Sequence, residues 1–114
     1  MSDRKTEEKT VLSSQAVTAA ANSNSMYVGD YTEATAYLDV TAVSGTAPVL
    51  AAKLQISHDD TDWFDHPDGR FPPIVVADNY CRPVKLTGKY IRVRFEVFGT
   101  SPSFTTEGII QAKS

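Results

Sequence analysis

The sequence predicts an all-β protein: an antiparallel β-sandwich, Ig-like or jelly-roll-like, with an extended N-terminal arm. Three observations predict it. From Tyr90 onward, Ile91, Val93, Phe95 and Val97 alternate with Arg92, Arg94 and Glu96. That is a period of two with one apolar and one charged face. Candidate strands are cut by Gly, Pro, Asp and Asn turns at roughly the eight-to-twelve-residue spacing of sandwiches and barrels. No long stretch favours a helix: Ala19, Ala20 and Ala21 have the propensity, but Ser13, Ser14, Thr18 and Asn22 around them oppose it.

The elements follow in order. Residues 1–9 are charged, with no large apolar side chain beyond Met1, and should stay solvated. A first strand over Thr10–Val17 completes an arm that spans residues 1–25; the sandwich occupies 26–114. Met26–Val28 is a short strand and Gly29–Asp30 a turn. Glu33–Val43 and Val49–Ser57 read as one long hairpin. His58–Gly69 is a loop, with a short strand starting at Trp63 and Phe64. Ile74–Val76 is a brief strand. Tyr80–Leu86 is a strand that Pro83 confines to an edge or a bulge. Tyr90–Gln111 reads as a second long hairpin. The shared phase of these strands places Leu38, Val40, Leu54, Ile56, Trp63, Ile91, Val93, Phe95 and Phe104 in the core.

The two hairpins look related. Gly45-Thr46-Ala47-Pro48 and Gly99-Thr100-Ser101-Pro102 lie 54 positions apart, and Tyr37 and Tyr90 lie 53 apart. An internal pseudo-symmetry explains this; so does good turn chemistry used twice.

Composition excludes several classes. At 114 residues and 41% apolar the chain fits one domain. No apolar run approaches the roughly 20 residues of a membrane helix. One cysteine, Cys81, cannot form an internal disulfide; beside Arg82 in a strand it reads as a small buried hydrophobe. A net charge of −3 argues against coating nucleic acid, which needs a basic face. No Gly-x-Ser-x-Gly elbow or phosphate loop is present, so no enzyme, catalytic residue or cofactor is expected.

Five of the 14 acids (Asp59, Asp60, Asp62, Asp65, Asp68) and both histidines fall between His58 and Asp68. Calcium takes several oxygens, but the spacing is not that of an EF-hand. The segment 58–69 reads as Asp turns around Trp63, with no metal. Arg92, Arg94, Lys85 and Lys89 form a candidate basic patch. With Tyr90 and Tyr37 as aromatic anchors, Arg92 and Arg94 are the candidate partner-contact residues.

The run from Tyr31 through Tyr37-Leu38-Asp39-Val40 to Gly45-Thr46-Ala47-Pro48 resembles small structural proteins encoded in tailed-phage virion gene clusters. Lys53–Trp63, Gly88–Val93 and Gly99–Phe104 extend the similarity over roughly residues 27–110. The family carries Ser-x-Asp-Gly before its tryptophan; here Asp60-Thr61 replaces the Asp-Gly. The resemblance implies a β-rich, non-enzymatic virion component. The expectation is a capsid decoration or cement protein, assembled in the host cytoplasm. Its partners would be the major capsid protein or another virion protein and further copies of itself, with no nucleic acid and no membrane. A tail or head–tail connector protein is the second reading. A carbohydrate-binding module with Trp63, Phe64 and Tyr80 as sugar platforms is a third, of another class.

Overall fold

The computed structural model describes residues 6–114. The elements are β1 (Thr6–Val17), β2 (Ala21–Asn22), β3 (Met26–Tyr27), β4 (Glu33–Ser57), β5 (Phe64–Arg70), β6 (Asp78–Lys85) and β7 (Tyr90–Lys113). They form one open antiparallel sheet with the path β1-β7-β4-β5; β2 and β3 pair with β7, and β6 pairs with β4. The expected all-β class is what the chain adopts.

Neither long hairpin exists. β4 and β7 pair with each other along their whole length, from Glu33↔Lys113 to Ser57↔Tyr90. The two Gly-Thr-x-Pro segments lie opposite one another in the middle of this ladder, at Thr46↔Thr100. They turn nothing back; they bend the ribbon. A 25-residue strand such as β4 would span about 80 Å if straight, yet the longest dimension of the molecule is 52 Å. All three register shifts of the ladder fall between Val40 and Val49, which is where bulges let strands bend.

The bend splits the sheet into two layers. The first holds β1, the C-terminal half of β7, the N-terminal half of β4, and β6. The second holds β2 and β3, the N-terminal half of β7, the C-terminal half of β4, and β5. Their inward side chains form a single buried cluster. Leu38, Val40, Phe104 and Ile110 come from the first layer, Leu50, Leu54, Ile91, Val93 and Phe95 from the second.

The bend is locally two-fold. Gly45 and Gly99 have φ of 109° and 118°, and Ala47 and Ser101 have φ of 50° and 48°. Each glycine packs against the other segment's backbone: Gly45 against Thr100, Ser101 and Pro102, Gly99 against Thr46, Ala47 and Pro48. The repeat seen in the sequence is thus a pseudo-dyad inside one ribbon.

Hydrogen bonds close both sides of the sandwich. On one side the Asn24 amide donates to the Val11 carbonyl at 2.8 Å, and the Val93 amide donates to Ser23 Oγ at 2.8 Å. On the other, β5 bulges over residues 66–69, since Lys53↔Arg70 is followed by Gln55↔Asp65. The bulge turns His66 inward. Its Nδ1 accepts from the Asp68 amide at 3.0 Å, and its Nε2 lies 2.6 Å from the Lys85 carbonyl on β6. That pattern fixes the ring as the Nε2–H tautomer.

Several expectations change here. The segment 58–69 is a loop only to Trp63, because Phe64–Arg70 is strand β5. The brief strand at Ile74–Val76 reduces to one bridge, Leu50↔Ile74. Ile56 and Trp63 are half-buried rather than core, and Cys81 is exposed. Within the expected arm, residues 1–5 lie outside those described. Thr6–Lys9 are exposed but already paired with Ile110–Lys113. Further along β1, Val11, Leu12 and Val17 enter the core.

Candidate functional site

The outward face of the second layer carries the basic patch. On β7 the outward positions are Arg92, Arg94 and Glu96; on β4 they are Ala51, Lys53 and Gln55. Cross-strand pairing sets Arg94, Lys53 and Arg70 in a row over three strands. Lys53 Nζ pairs with Asp65 Oδ2 at 3.0 Å, and Gln55 Nε2 donates to Asp65 Oδ1 at 3.0 Å. The Gln55 and then the Lys53 hydrogen bonds hold the Asp65 carboxyl below the usual carboxylate range. Beside the row runs a groove of about 270 Å³ lined by Lys53, Arg70, Phe71, Arg94 and Phe98.

Arg92 is fixed by its neighbours. Its Nε donates to Gln55 Oε1 at 2.9 Å, and its guanidinium lies 4.2 Å from the centre of the Trp63 ring, a cation–π distance. Partial burial, then the charge of Arg94, lowers its pKa, while Asp60 opposes the shift. Arg94 Nη1 donates to Asn22 Oδ1 at 3.2 Å.

The four candidate contact residues therefore divide. Arg92, Arg94 and Tyr90 lie on the second layer, where Tyr90 meets Tyr27 edge-on at 5.4 Å. Tyr37 lies on the outward face of the first layer, opposite Cys81 and Ile109. Lys85 sits on β6 in the first layer, so it does not join the patch. Lys53 and Arg70 join Arg92 and Arg94 instead. Sequence reasoning missed them because cross-strand register between distant segments has no local signal.

The Asp-rich segment is a tight turn. Ser57 Oγ accepts from the Asp59 and Asp60 amides, at 3.2 and 2.8 Å. Asp59 Oδ1 accepts from the Thr61 and Asp62 amides, both at 2.9 Å. The Asp62 and then Thr61 amide bonds lower the Asp59 pKa to about 2. Asp60 sits at φ 63°, the left-handed position glycine favours. The Asp-Gly of the resembling family thus corresponds to Asp59-Asp60, not Asp60-Thr61. Among the described residues one group, His58, Asp59 and Asp62, brings possible metal-ligand atoms within 4.8 Å of one another, all exposed. One Asp59 oxygen is already committed to two amides.

The three rings of a sugar platform do not converge. Arg92 covers Trp63. Phe64 is exposed beside His58, with centroids 6.4 Å apart. Tyr80 belongs to the other layer, where its hydroxyl donates to the Val76 carbonyl.

Comparison with known proteins places the fold. No protein-family model matches the chain, and no curated protein does. Among solved structures, the chain aligns with VP2 of the infectious bursal disease virus subviral particle at TM-score 0.66 and 10% identity. It covers 96% of this chain and 32% of that one. The Gx strain of the same virus gives TM-score 0.66 at 9% identity, over 98% of this chain and 33% of that one. The chain thus spans about a third of these viral chains. The SPBc2 prophage-derived protein YomS matches end to end, covering 100% of this chain and 97% of its own, at TM-score 0.53 and 16% identity. The chain has a small β-rich fold shared with viral and prophage proteins.

Proposed function

We propose that this chain is a non-enzymatic structural protein of a tailed-phage virion, and within it a capsid decoration or cement protein. The observation that carries the proposal is the fold: nearly the whole chain superposes on part of a protein of a viral particle, and end to end on a prophage-derived protein. The site supports the same reading. Its polar groups are tied to one another in fixed outward faces, which suits docking better than turnover. Arg92, Arg94, Tyr90 and Tyr37 are the residues assigned to partner contact, and the major capsid protein is the partner. Burying such faces across subunit junctions stabilises a shell by linkage, because ligand bound only to the intact state shifts the equilibrium toward it. The chain assembles onto the particle in the host cytoplasm.

The arm, residues 1–25, takes part in attachment. Among the described residues β1 pairs in the sheet with β7 alone, and apart from the Val11 carbonyl, which accepts from Asn24, its other edge is left for a strand from a neighbour. A tail or head–tail connector position is the second reading, and the same fold supports it. The experiment is to add purified protein to particles lacking it and measure bound copies by sedimentation, then locate them by reconstruction. Saturable binding at capsid junctions is expected. Copies found on the tail support the second reading, and no binding to any particle refutes both.

A further inference from the structure

The two outward faces carry opposite charge, each in an arrangement that costs the isolated chain stability. On the first layer Asp39 and Glu107 stand directly opposite in the β4–β7 ladder. On the second layer Lys53 stands opposite Arg94 on one side and Arg70 on the other. Like charges directly opposite on neighbouring strands destabilise a sheet. Relief within the chain is partial. Among the described residues Lys53 has an ion pair, with Asp65, while Asp39, Glu107, Arg70 and Arg94 have none. The layers pack face to face, so the acidic and basic faces look outward in opposite directions.

We propose that the acidic face of one copy seats on the basic face of the next. Asp39 and Glu107 meet the row of Lys53, Arg70 and Arg94, and Tyr37 contributes the apolar part of the contact. The partner is a second copy of this chain, because one chain displays both complementary charge patterns. Such a contact is heterologous: each copy keeps one face free, so copies stack, or close into a ring where the rotation permits. The inference builds on the reading of these faces as contact surfaces, and it is tested without any particle.

The test is sedimentation velocity of the purified full-length protein over a concentration series, at ionic strengths of about 0.05 M and about 1 M, where screening lengths differ severalfold. Assembly that grows with concentration at low salt and is lost at high salt is expected. A variant with Lys53→Glu and Arg94→Glu has two acidic faces; one with Asp39→Lys and Glu107→Lys has two basic faces. Each alone should be monomeric and, by circular dichroism, folded. Mixed, they should assemble again. A wild-type monomer at every concentration, assembly that either variant retains, or a mixture that stays monomeric overturns the proposal. If a double variant fails to fold, the neutral pair Lys53→Gln and Arg94→Gln replaces it. That pair should abolish assembly, and unchanged assembly refutes the contact. Loss of particle binding with assembly intact would instead count against the virion reading.

Discussion

Replacing Gly99 with alanine tests the bend on which both layers depend. The substitution adds one methyl group. At φ 118° that group sits in a conformation L side chains rarely adopt, which costs about 1–3 kcal/mol. It also lands 2.8 Å from the Ala47 carbonyl oxygen and 2.9 Å from that of Thr46, where even a favourable carbon–oxygen contact needs about 3.3 Å. Two backbone carbonyls must move, with about 1 kcal/mol at stake for each hydrogen bond weakened. The stiffer unfolded chain returns about 0.4–1 kcal/mol. The expected net loss is about 2–4 kcal/mol, a large share of a typical 5–15. Urea unfolding followed by circular dichroism reads this as a midpoint lowered by about 1–2 M, with an unchanged slope. The pseudo-dyad adds a second condition. Gly45→Ala meets Ser101 and Thr100 oxygens at 2.7 and 2.9 Å and must cost a similar amount. Gly108→Ala is the control, its Cβ an ordinary 3.4 Å from Leu12, and should lose nothing. A loss below about 0.5 kcal/mol at Gly99, or a large loss at one glycine with none at the other, would show the two-fold bend is wrong.

Four further outcomes follow from the same structure. Phe95 is fully enclosed, so Phe95→Ala should cost about 3–5 kcal/mol by denaturant unfolding. Asp59 has a folded pKa of about 2 against an ordinary 3.8, so its contribution is present above about pH 4 and disappears as pH falls toward about 2. The stability gap between the wild type and Asp59→Ala should therefore close over that range in urea titrations; a gap that persists at the acid end would assign the effect elsewhere. Excess chelator should leave the melting temperature within error, and a drop restored by calcium would make His58, Asp59 and Asp62 a real metal site. Deleting residues 1–9 removes no side chain from the described core, whereas deleting 1–17 also removes Val11, Leu12 and Val17. At about 1.5–3 kcal/mol each those three approach the stability of a whole domain, so circular dichroism should show the first truncation folded and the second not.

The inward phase of the strands was legible in the sequence because it is local. Leu38, Val40, Leu54, Ile91, Val93, Phe95 and Phe104 are all buried, as alternation requires. The pairing was not legible. Gly-Thr-x-Pro supplies positive φ, and positive φ serves a hairpin turn and a mid-strand bend equally well. What separates the two is whether residues some fifty positions away lie across the ladder, and no local residue pattern encodes that. Trp63 failed for a related reason: its cover is Arg92, a charged side chain from another strand. The basic patch was half legible, with Arg92 and Arg94 visible by alternation and Lys53 and Arg70 supplied by register.

The bend also gives the fold a mechanical property. In a sandwich whose layers are joined by loops, separating the layers breaks side-chain packing alone. Here the two central strands run through both layers and remain paired with each other around the corner. Peeling the layers apart therefore strains β4 and β7 together at the Gly45–Gly99 crossing, where the backbones are in close contact. On both sides further cross-links resist the same motion: Asn24 to Val11 at one edge, His66 to Lys85 at the other. None of these links requires a large side chain at an outward position. The outward faces are thus free to vary in charge and shape while the frame is kept. A fold shared at about 10% identity with a viral particle protein is what such a division of labour permits.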